Sequence, residues 1–183
     1  MPNWCENILT SSISLEPYIN EAGEFDFELI KPTPEIFKNL PLPCLVDKDI
    51  EKLREKGDIV EYNKYHLYII IEKQTGARDL LDWCLKNWGV KWNASHMWSS
   101  NDKMTVGFLT PWNPPIKIIN ELARLNPTAE FDLKFAEPGM GFCGHIKYDG
   151  NGNFINEEFD INDEKGKQIA LEVLGEEFFE DNQ

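Results

Sequence analysis

The sequence has few of the residues that metal sites, disulfide frameworks and membrane spans require. Its 183 residues include three histidines and four cysteines, and no two cysteines form a C-x-x-C pair. No apolar run approaches the ~20 residues of a transmembrane helix, and the first residues lack the basic and apolar regions of a signal peptide. We therefore expect a cytoplasmic protein with reduced, mostly buried thiols.

Basic residues are also scarce. Lys and Arg number 18 against 32 Asp and Glu, which gives a net charge of −14. Residues 76–138 are neutral, whereas residues 1–75 carry −6 and residues 139–183 carry −8. A negative field repels phosphate backbones, so general nucleic-acid affinity is disfavoured. It suits a basic partner, including a protein surface that normally holds nucleic acid.

Tryptophan, in contrast, is concentrated in one stretch, and five of the six lie between Trp83 and Pro115. Apolar periodicity in and around this stretch predicts, in order, a strand at 3–13, a helix at 77–88, strands at 91–100 and 103–110, a helix at 114–125 capped by Asn113, and a strand at 129–136. The order βαββαβ predicts an α+β protein with a ferredoxin-like antiparallel sheet and helices on one face.

The remaining segments are predicted to extend this single domain. Residues 15–75 would form a long insertion after the first strand, with a strand at 25–30, a turn at 35–38 and a helix at 47–56. Residues 58–75 contain a β-prone run, but Asp58 and Glu61 have the spacing of a capping box, which favours a helix. Residues 139–175 would add a C-terminal hairpin and helix, and the acidic tail at 176–183 is expected to fray.

Several sequence segments together resemble one family. They are MPNWCEN (1–7), KPTP (31–34), GARDLLDW (76–83), NWGVKWNA (87–94), FLTPWNPP (108–115) and EPGMGFCG (137–144). In these segments the chain resembles the YubB-like family of plasmid and phage proteins, departing from it at Val90 and Pro111. The resemblance implies a ferredoxin-like domain and a mobile-element origin. It implies no reaction, cofactor or catalytic residue.

Three local motifs could carry chemistry, and each has a plainer interpretation. Residues 139–144 satisfy G-x-G-x-x-G, but a strand follows instead of the helix N-terminus that pyrophosphate binding needs. Asp149, Asn151 and Asn153 match the start of a calcium loop, although a hairpin turn explains them as well. Cys143 and His145 share a strand face, which leaves a Cys/His enzyme open as an alternative. We assign no catalytic, cofactor or metal residues.

Tryptophans on a ferredoxin-like sheet could instead stack nucleic-acid bases. The candidates are Trp92 and Trp98, with Lys91 and Lys103 as the only nearby positive charges on the two predicted strands. Shared strand parity favours core packing for both tryptophans, and the acidic flanks oppose a polyanion. A nucleic-acid-binding module is therefore the alternative interpretation.

The preferred hypothesis is a non-enzymatic, mobile-element protein that binds a basic host protein through an acidic surface. One concrete version is an anti-CRISPR-like counter-defence protein that occupies the basic nucleic-acid channel of a host nuclease. The candidate contact residues are Glu157, Glu158, Asp160, Asp163 and Glu164, supported by Glu24, Asp26 and Glu28.

Overall fold

The computed structural model describes residues 3–39, 55–57 and 59–180. Its strands and helices, in chain order, are β1 (Trp4–Ser11), α1 (Ile59–Thr75), α2 (Leu80–Asn87), β2 (Ser95–Ser99), β3 (Thr105–Pro111), α3 (Ile116–Leu125), β4 (Glu130–Glu137), β5 (Phe142–Asp149), β6 (Phe154–Asp160), α4 (Glu164–Leu174) and α5 (Glu176–Glu180). Short 3-10 turns occur at Glu16–Tyr18, Phe27–Leu29 and Glu35–Asn39. None of the described helices is long and apolar enough to cross a bilayer.

All six strands form one antiparallel sheet in the order β2-β3-β1-β4-β5-β6. The first four strands of the chain have the order expected of the ferredoxin-like fold, so the predicted fold class is confirmed. β5 and β6 extend the sheet beyond β4, which confirms the predicted C-terminal hairpin. Among the described strands, β6 is consequently at the edge of the sheet, where it pairs with β5 alone.

β1 lies at the centre of the sheet because its alternate residues are apolar or hydrogen-bonded. Cys5 and Leu9 are fully buried, and Asn7 between them is 1% exposed. The Asn7 Nδ2 donates to the carbonyl oxygens of Cys5 (2.9 Å) and Phe108 (3.3 Å), and to the Thr110 Oγ1 (2.8 Å). A buried amide that is satisfied across two strands fixes their register, because a slip of one residue would leave it unpaired.

One face of the sheet packs against α3. Cross-strand register places the buried side chains of β1, β3, β4 and β5 on this face, among them Phe108, Phe131, Leu133, Phe135 and Ile146. α3 contributes the fully buried Ile118, Ile119 and Leu122, and Tyr148 of β5 hydrogen-bonds to Asn120. This face is the main hydrophobic core.

α4 covers part of the opposite face. Ala136 and Cys143 point to that side of β4 and β5, where they pack with Ile169, Ala170 and Val173. Gly166 allows the close approach, since a Cβ there would lie 1.9 Å from the Asp160 carbonyl oxygen. The sheet is therefore sandwiched at β4 and β5, and Phe159 of β6 packs at the margin of the α4 cluster.

The described residues divide into two compact units, one from 1–32 and 88–183 and one from 33–87. The insertion predicted at 15–75 is split between them. In the second unit α1 confirms the helix predicted at 58–75, with Tyr68 and Ile71 buried. The 3-10 turn at Glu35–Asn39 confirms the predicted turn. The helix predicted at 47–56 falls almost entirely outside the described residues.

Three local predictions were wrong. Residues 25–30 contain a 3-10 turn instead of a strand, because the Asp26 Oδ1 accepts a hydrogen bond from the Glu28 N–H (2.8 Å) and curls the chain. The helix predicted from residue 114 begins at Ile116, with Pro115 in place of Asn113 at the N-cap position. Residues 176–180 of the tail expected to fray form α5, because Phe178 and Phe179 pack against the α4 cluster.

We predict that Gly166→Ala lowers the free energy of unfolding by about 1–3 kcal/mol, the usual cost of overpacking. Helix propensity alone would make the Gly166→Ala variant more stable by about 1 kcal/mol. A loss of stability would therefore indicate overpacking. Chemical denaturation measures it, with Gln168→Ala on the exposed side of α4 as the control. Unchanged or increased stability would show that α4 does not depend on this close approach.

Candidate functional site

Five of the predicted contact residues meet at one corner of the sheet, which we call the acidic corner. It consists of Glu157, Glu158 and Asp160 on β6, and Asp163 and Glu164 where α4 begins. All five are exposed. Of these five carboxylates, only Glu157 lies within 4 Å of a described basic side chain, the His145 imidazole. The corner is therefore a local concentration of negative charge.

Two carboxylates of the corner also hold local structure. The Glu157 Oε2 lies 3.0 Å from the His145 Nε2 on β5. The Asp160 Oδ1 accepts hydrogen bonds from the backbone N–H (2.8 Å) and side-chain amide (3.0 Å) of Asn162, which shapes the turn into α4. Glu158, Asp163 and Glu164 make no such contacts with described side chains, so they are the residues available to a partner.

The second predicted acidic set lies elsewhere. The Asp26 carboxylate already accepts three hydrogen bonds within the protein. The donors are the Glu28 N–H, the Asn93 Nδ2 (2.7 Å) and the Asn20 Nδ2 (3.3 Å). Asn93 precedes β2, the edge strand opposite β6. Five strand spacings separate the two edges, or roughly 24 Å. Glu24, Asp26 and Glu28 therefore do not form one surface with the acidic corner.

The tryptophans divide into buried and exposed groups. Trp83 and Trp88 are 5% and 3% exposed, as expected for core residues, whereas Trp92 and Trp98 are 42% and 43% exposed. Core packing was therefore the wrong prediction for the latter two. The predicted parity fails because β2 begins at Ser95, beyond Trp92, and because its register shifts between His96 and Trp98.

The exposed tryptophans and their lysines do not converge on one point. The Trp98 indole lies over Gly107 of β3, where a Cβ would be 2.3 Å from its Nε1. Trp92 packs edge-on against Trp4, with 6.3 Å between ring centroids. Lys91, near the start of β2, has its Nζ 5.7 Å from the centroid of the Trp112 ring. Lys103 is in the turn at the other end of β2, where its Nζ donates to the Ser99 Oγ (2.8 Å).

Cys143 is poorly suited to act as a nucleophile. Its side chain is buried beneath α4, and the Sγ donates to the Gly166 carbonyl oxygen (3.2 Å). Burial, with a smaller contribution from the negative charge of Asp160, raises the pKa of this thiol. The Sγ is directed to the carbonyl oxygens of Gly166 and Phe159 (3.8 Å for the latter), whereas the neighbouring His145 directs its Nε2 to Glu157. A protonated, enclosed thiol opposes the Cys/His enzyme alternative.

The G-x-G-x-x-G motif forms a tight turn followed by strand β5. The Glu137 carboxylate is 1% exposed and accepts hydrogen bonds from the backbone N–H groups of Gly139 (3.2 Å) and Met140. Gly141 has a φ of +76°, which favours glycine, and a Cβ at Gly144 would lie 2.6 Å from the Phe135 ring. Gly141 and Gly144 therefore have structural reasons, and the expected strand is confirmed.

The calcium-like sequence forms the hairpin turn between β5 and β6. The Asp149 carboxylate accepts hydrogen bonds from the backbone N–H groups of Asn151 (2.8 Å) and Asn153 (3.1 Å), and from the Asn153 side chain (2.8 Å). These hydrogen bonds lower the pKa of Asp149, and the bond from the Asn153 side chain has the largest effect. Across the described residues, no group of three or more metal-ligating side chains converges.

A cavity of about 300 Å³ flanks the acidic corner on the α4 side of the sheet. Lys134 and Lys147 line it, and each is paired: Lys134 with Glu172, and Lys147 with Asp132 (3.2 Å). Lys165 of α4 also lines the cavity, and its Nζ lies 5.7 Å from the centroid of the Phe159 ring. The cavity therefore places one lysine beside the acidic corner, where five carboxylates lie.

Sequence reasoning missed the apolar part of β6. Phe154 is 63% exposed and Ile155 is 53% exposed, at the opposite end of the strand from Asp160. The signal was present in the sequence FINEEFD (154–160), because charged residues on both faces of a strand are typical of a sheet edge.

We predict that a Cys44→Ser variant reacts slowly with an aromatic disulfide reagent at neutral pH and completely after unfolding. The physical reason is that Cys5, Cys84 and Cys143 are buried, while Cys44 lies outside the described residues. The measurement is a time course of thiolate release in native buffer and in denaturant. Rapid stoichiometric labelling of Cys143 in the native protein would restore the enzyme alternative.

Comparison with known proteins assigns a domain to the second half of the chain. Part of the structure is similar to the crystal structure of api92 from Yersinia pseudotuberculosis, at 21% identity and a TM-score of 0.34, over 45% of this chain and 32% of that one. No curated protein matches the sequence. The family model that matches is described as a ferredoxin-like domain in Api92-like protein, and residues 87–177, which run from the end of α2 into α5, match it.

Proposed function

We propose that the protein acts by binding a protein partner that has a basic surface, and that the acidic corner is the contact. The observation that carries this proposal is the placement of five exposed acidic residues beside the outer edge of β6, with which no described strand pairs. Of the five, only Glu157 lies within 4 Å of a described basic side chain, the His145 imidazole. Complementary charge speeds association and selects partners, even where each ion pair adds little affinity.

The charge of the whole protein supports a protein partner over nucleic acid. A net charge of −14 repels a polyanion at long range, and it attracts a basic protein by the same field. A concrete form of the proposal is a counter-defence protein of mobile-element origin that occupies the nucleic-acid channel of a host nuclease. Its support is the YubB-like resemblance together with the charge of the corner.

Charge variants test the corner. We expect Glu158→Lys, Asp163→Asn and Glu164→Gln together to weaken partner binding about tenfold. The reason is that they make the acidic corner less negative by about four elementary charges. These substitutions spare Glu157 and Asp160, which hold local structure. The measurement is capture from host lysate followed by mass spectrometry, and then titration of the captured basic protein.

The matched control makes the same change in net charge at the other edge of the sheet, with Glu16→Gln, Glu21→Gln and Glu24→Lys, all at exposed positions. This control should capture the same proteins as the wild type. Equal loss in both variants would indicate a general charge effect, and no loss in either would remove the acidic corner as the contact.

A second candidate function, nucleic-acid binding, is favoured by one observation: the Trp98 indole is 43% exposed and lies against Gly107 of the sheet. Such a ring could stack a base. The acidic field opposes this function, so we rank it second.

We predict that the protein does not bind labelled single-stranded or double-stranded nucleic acid at about 0.15 M salt, the physiological ionic strength. Fluorescence anisotropy across a salt titration measures this, with Trp98→Ala alongside the wild type. If the protein binds nucleic acid, and if this binding weakens steeply with salt and is lost in Trp98→Ala, nucleic-acid binding would replace protein binding as the preferred function.

A further inference from the structure

None of the described strands pairs with the outer edge of β6. β6 pairs with β5 through seven residues without a bulge, and six of its seven residues are exposed. Its sequence contains no proline and no lysine. Natural sheets commonly protect edges with those features, because an open edge accepts further strands.

The opposite edge is protected. β2 has only five residues, and its register shifts between His96 and Trp98. A short, bulged strand is a poor template for another chain. The two edges therefore differ, and β6 is the one that is shaped to receive a strand.

The hydrogen-bond pattern shows which groups of β6 face outward. The Asp149 N–H donates to the Asn153 carbonyl, and the Ile161 N–H donates to the Gly141 carbonyl, so the odd-numbered residues pair with β5. Because an antiparallel ladder alternates, the even-numbered residues direct their N–H and C=O groups away from β5. These residues are Phe154, Asn156 and Glu158, followed by Asp160, whose carbonyl already accepts the Asp163 N–H.

We propose that an extended, basic segment of the partner adds to β6 as a seventh, antiparallel strand. This inference rests on the proposed function and specifies how the partner is held. Backbone hydrogen bonds to Asn156 and Glu158 would supply the pairing, and side chains opposite the acidic residues would supply selectivity.

The register of β6 defines the sequence of such a segment. Directly opposite residues share a sheet face, so basic residues belong opposite Asp160, Glu158 and Glu157. Apolar residues belong opposite Ile155 and Phe154. Read from its N-terminus, the segment has the pattern basic, any, basic, basic, any, apolar, apolar.

A second copy of this chain is a poor occupant of the same edge. An antiparallel pair of β6 strands centred on Glu157 or Glu158 places like carboxylates opposite each other, which is destabilising. A pair centred on Asn156 places Glu157 against Ile155. Charge therefore favours a basic segment over self-pairing.

The test uses the full chain and a labelled peptide, Lys-Thr-Lys-Lys-Thr-Val-Val, with Val-Lys-Thr-Val-Lys-Thr-Lys as a control of equal composition and charge. We expect the matched peptide to bind about tenfold more tightly than the control. Asn156→Pro should weaken its binding about tenfold, because proline removes one outward N–H and leaves the β5 ladder intact. Asn156→Thr keeps that N–H and should bind as the wild type does.

Hydrogen exchange supplies a readout that does not depend on a variant. The amide protons of Asn156 and Glu158 should exchange more slowly when the matched peptide is bound. Equal binding of the two peptides, undiminished binding to Asn156→Pro or unprotected outward amides would overturn strand addition. Self-association that Asn156→Pro abolishes would overturn it in favour of a second copy.

The same variant separates this inference from the proposed function. If corner charge variants lose the captured partner while Asn156→Pro retains it, the acidic corner is the contact and strand addition is wrong. If both lose the partner, and Asn156→Pro keeps the thermal stability of the wild type, both proposals hold.

Discussion

The pairing of β1 with two strands is the constraint on which the rest of the molecule depends. β3 and β4 can occupy one sheet only because β1 hydrogen-bonds to both, and the buried Asn7 amide ties its register to β3. β5 and β6 are then added on the β4 side. The position of the acidic corner thus follows from an interaction several strands away, and a slip of β1 would move hydrophobic side chains to the wrong face.

The functional proposal combines two features that are individually ordinary. Exposed carboxylates aid solubility in many proteins, and every open sheet has edges. Here α4 packs on β4, β5 and Phe159 of β6 from the side opposite α3, while the carboxylates of β6 stay exposed. In the proposed complex, charge would select what approaches this edge, and a strand that is already formed would need little ordering on binding.

Much of the fold was predictable because local patterns and tertiary structure agree. Alternating apolar residues predicted β4, and the turn residues Asp149-Gly-Asn-Gly predicted the β5–β6 hairpin. The site was less predictable, since strand order decides which acidic residues meet, and nothing local places Glu24 at the edge away from Glu158. The exposure of Trp98 depends on a bulge, and the turn at Asp26 depends on one side-chain hydrogen bond. Such features override periodicity without altering composition.

The central position of β1 also determines how long this strand waits for its partners during synthesis. Its hydrogen-bond partners in β3 lie about 100 residues further along the chain, as with Asn7 and Phe108, 101 residues apart. A ribosome adds residues at about 5–20 per second, so β1 waits on the order of 5–25 s before β3 and β4 have both been made. Its apolar side chains have no sheet to join in that interval. The nascent chain therefore passes through an interval in which the native fold does not yet shield this strand.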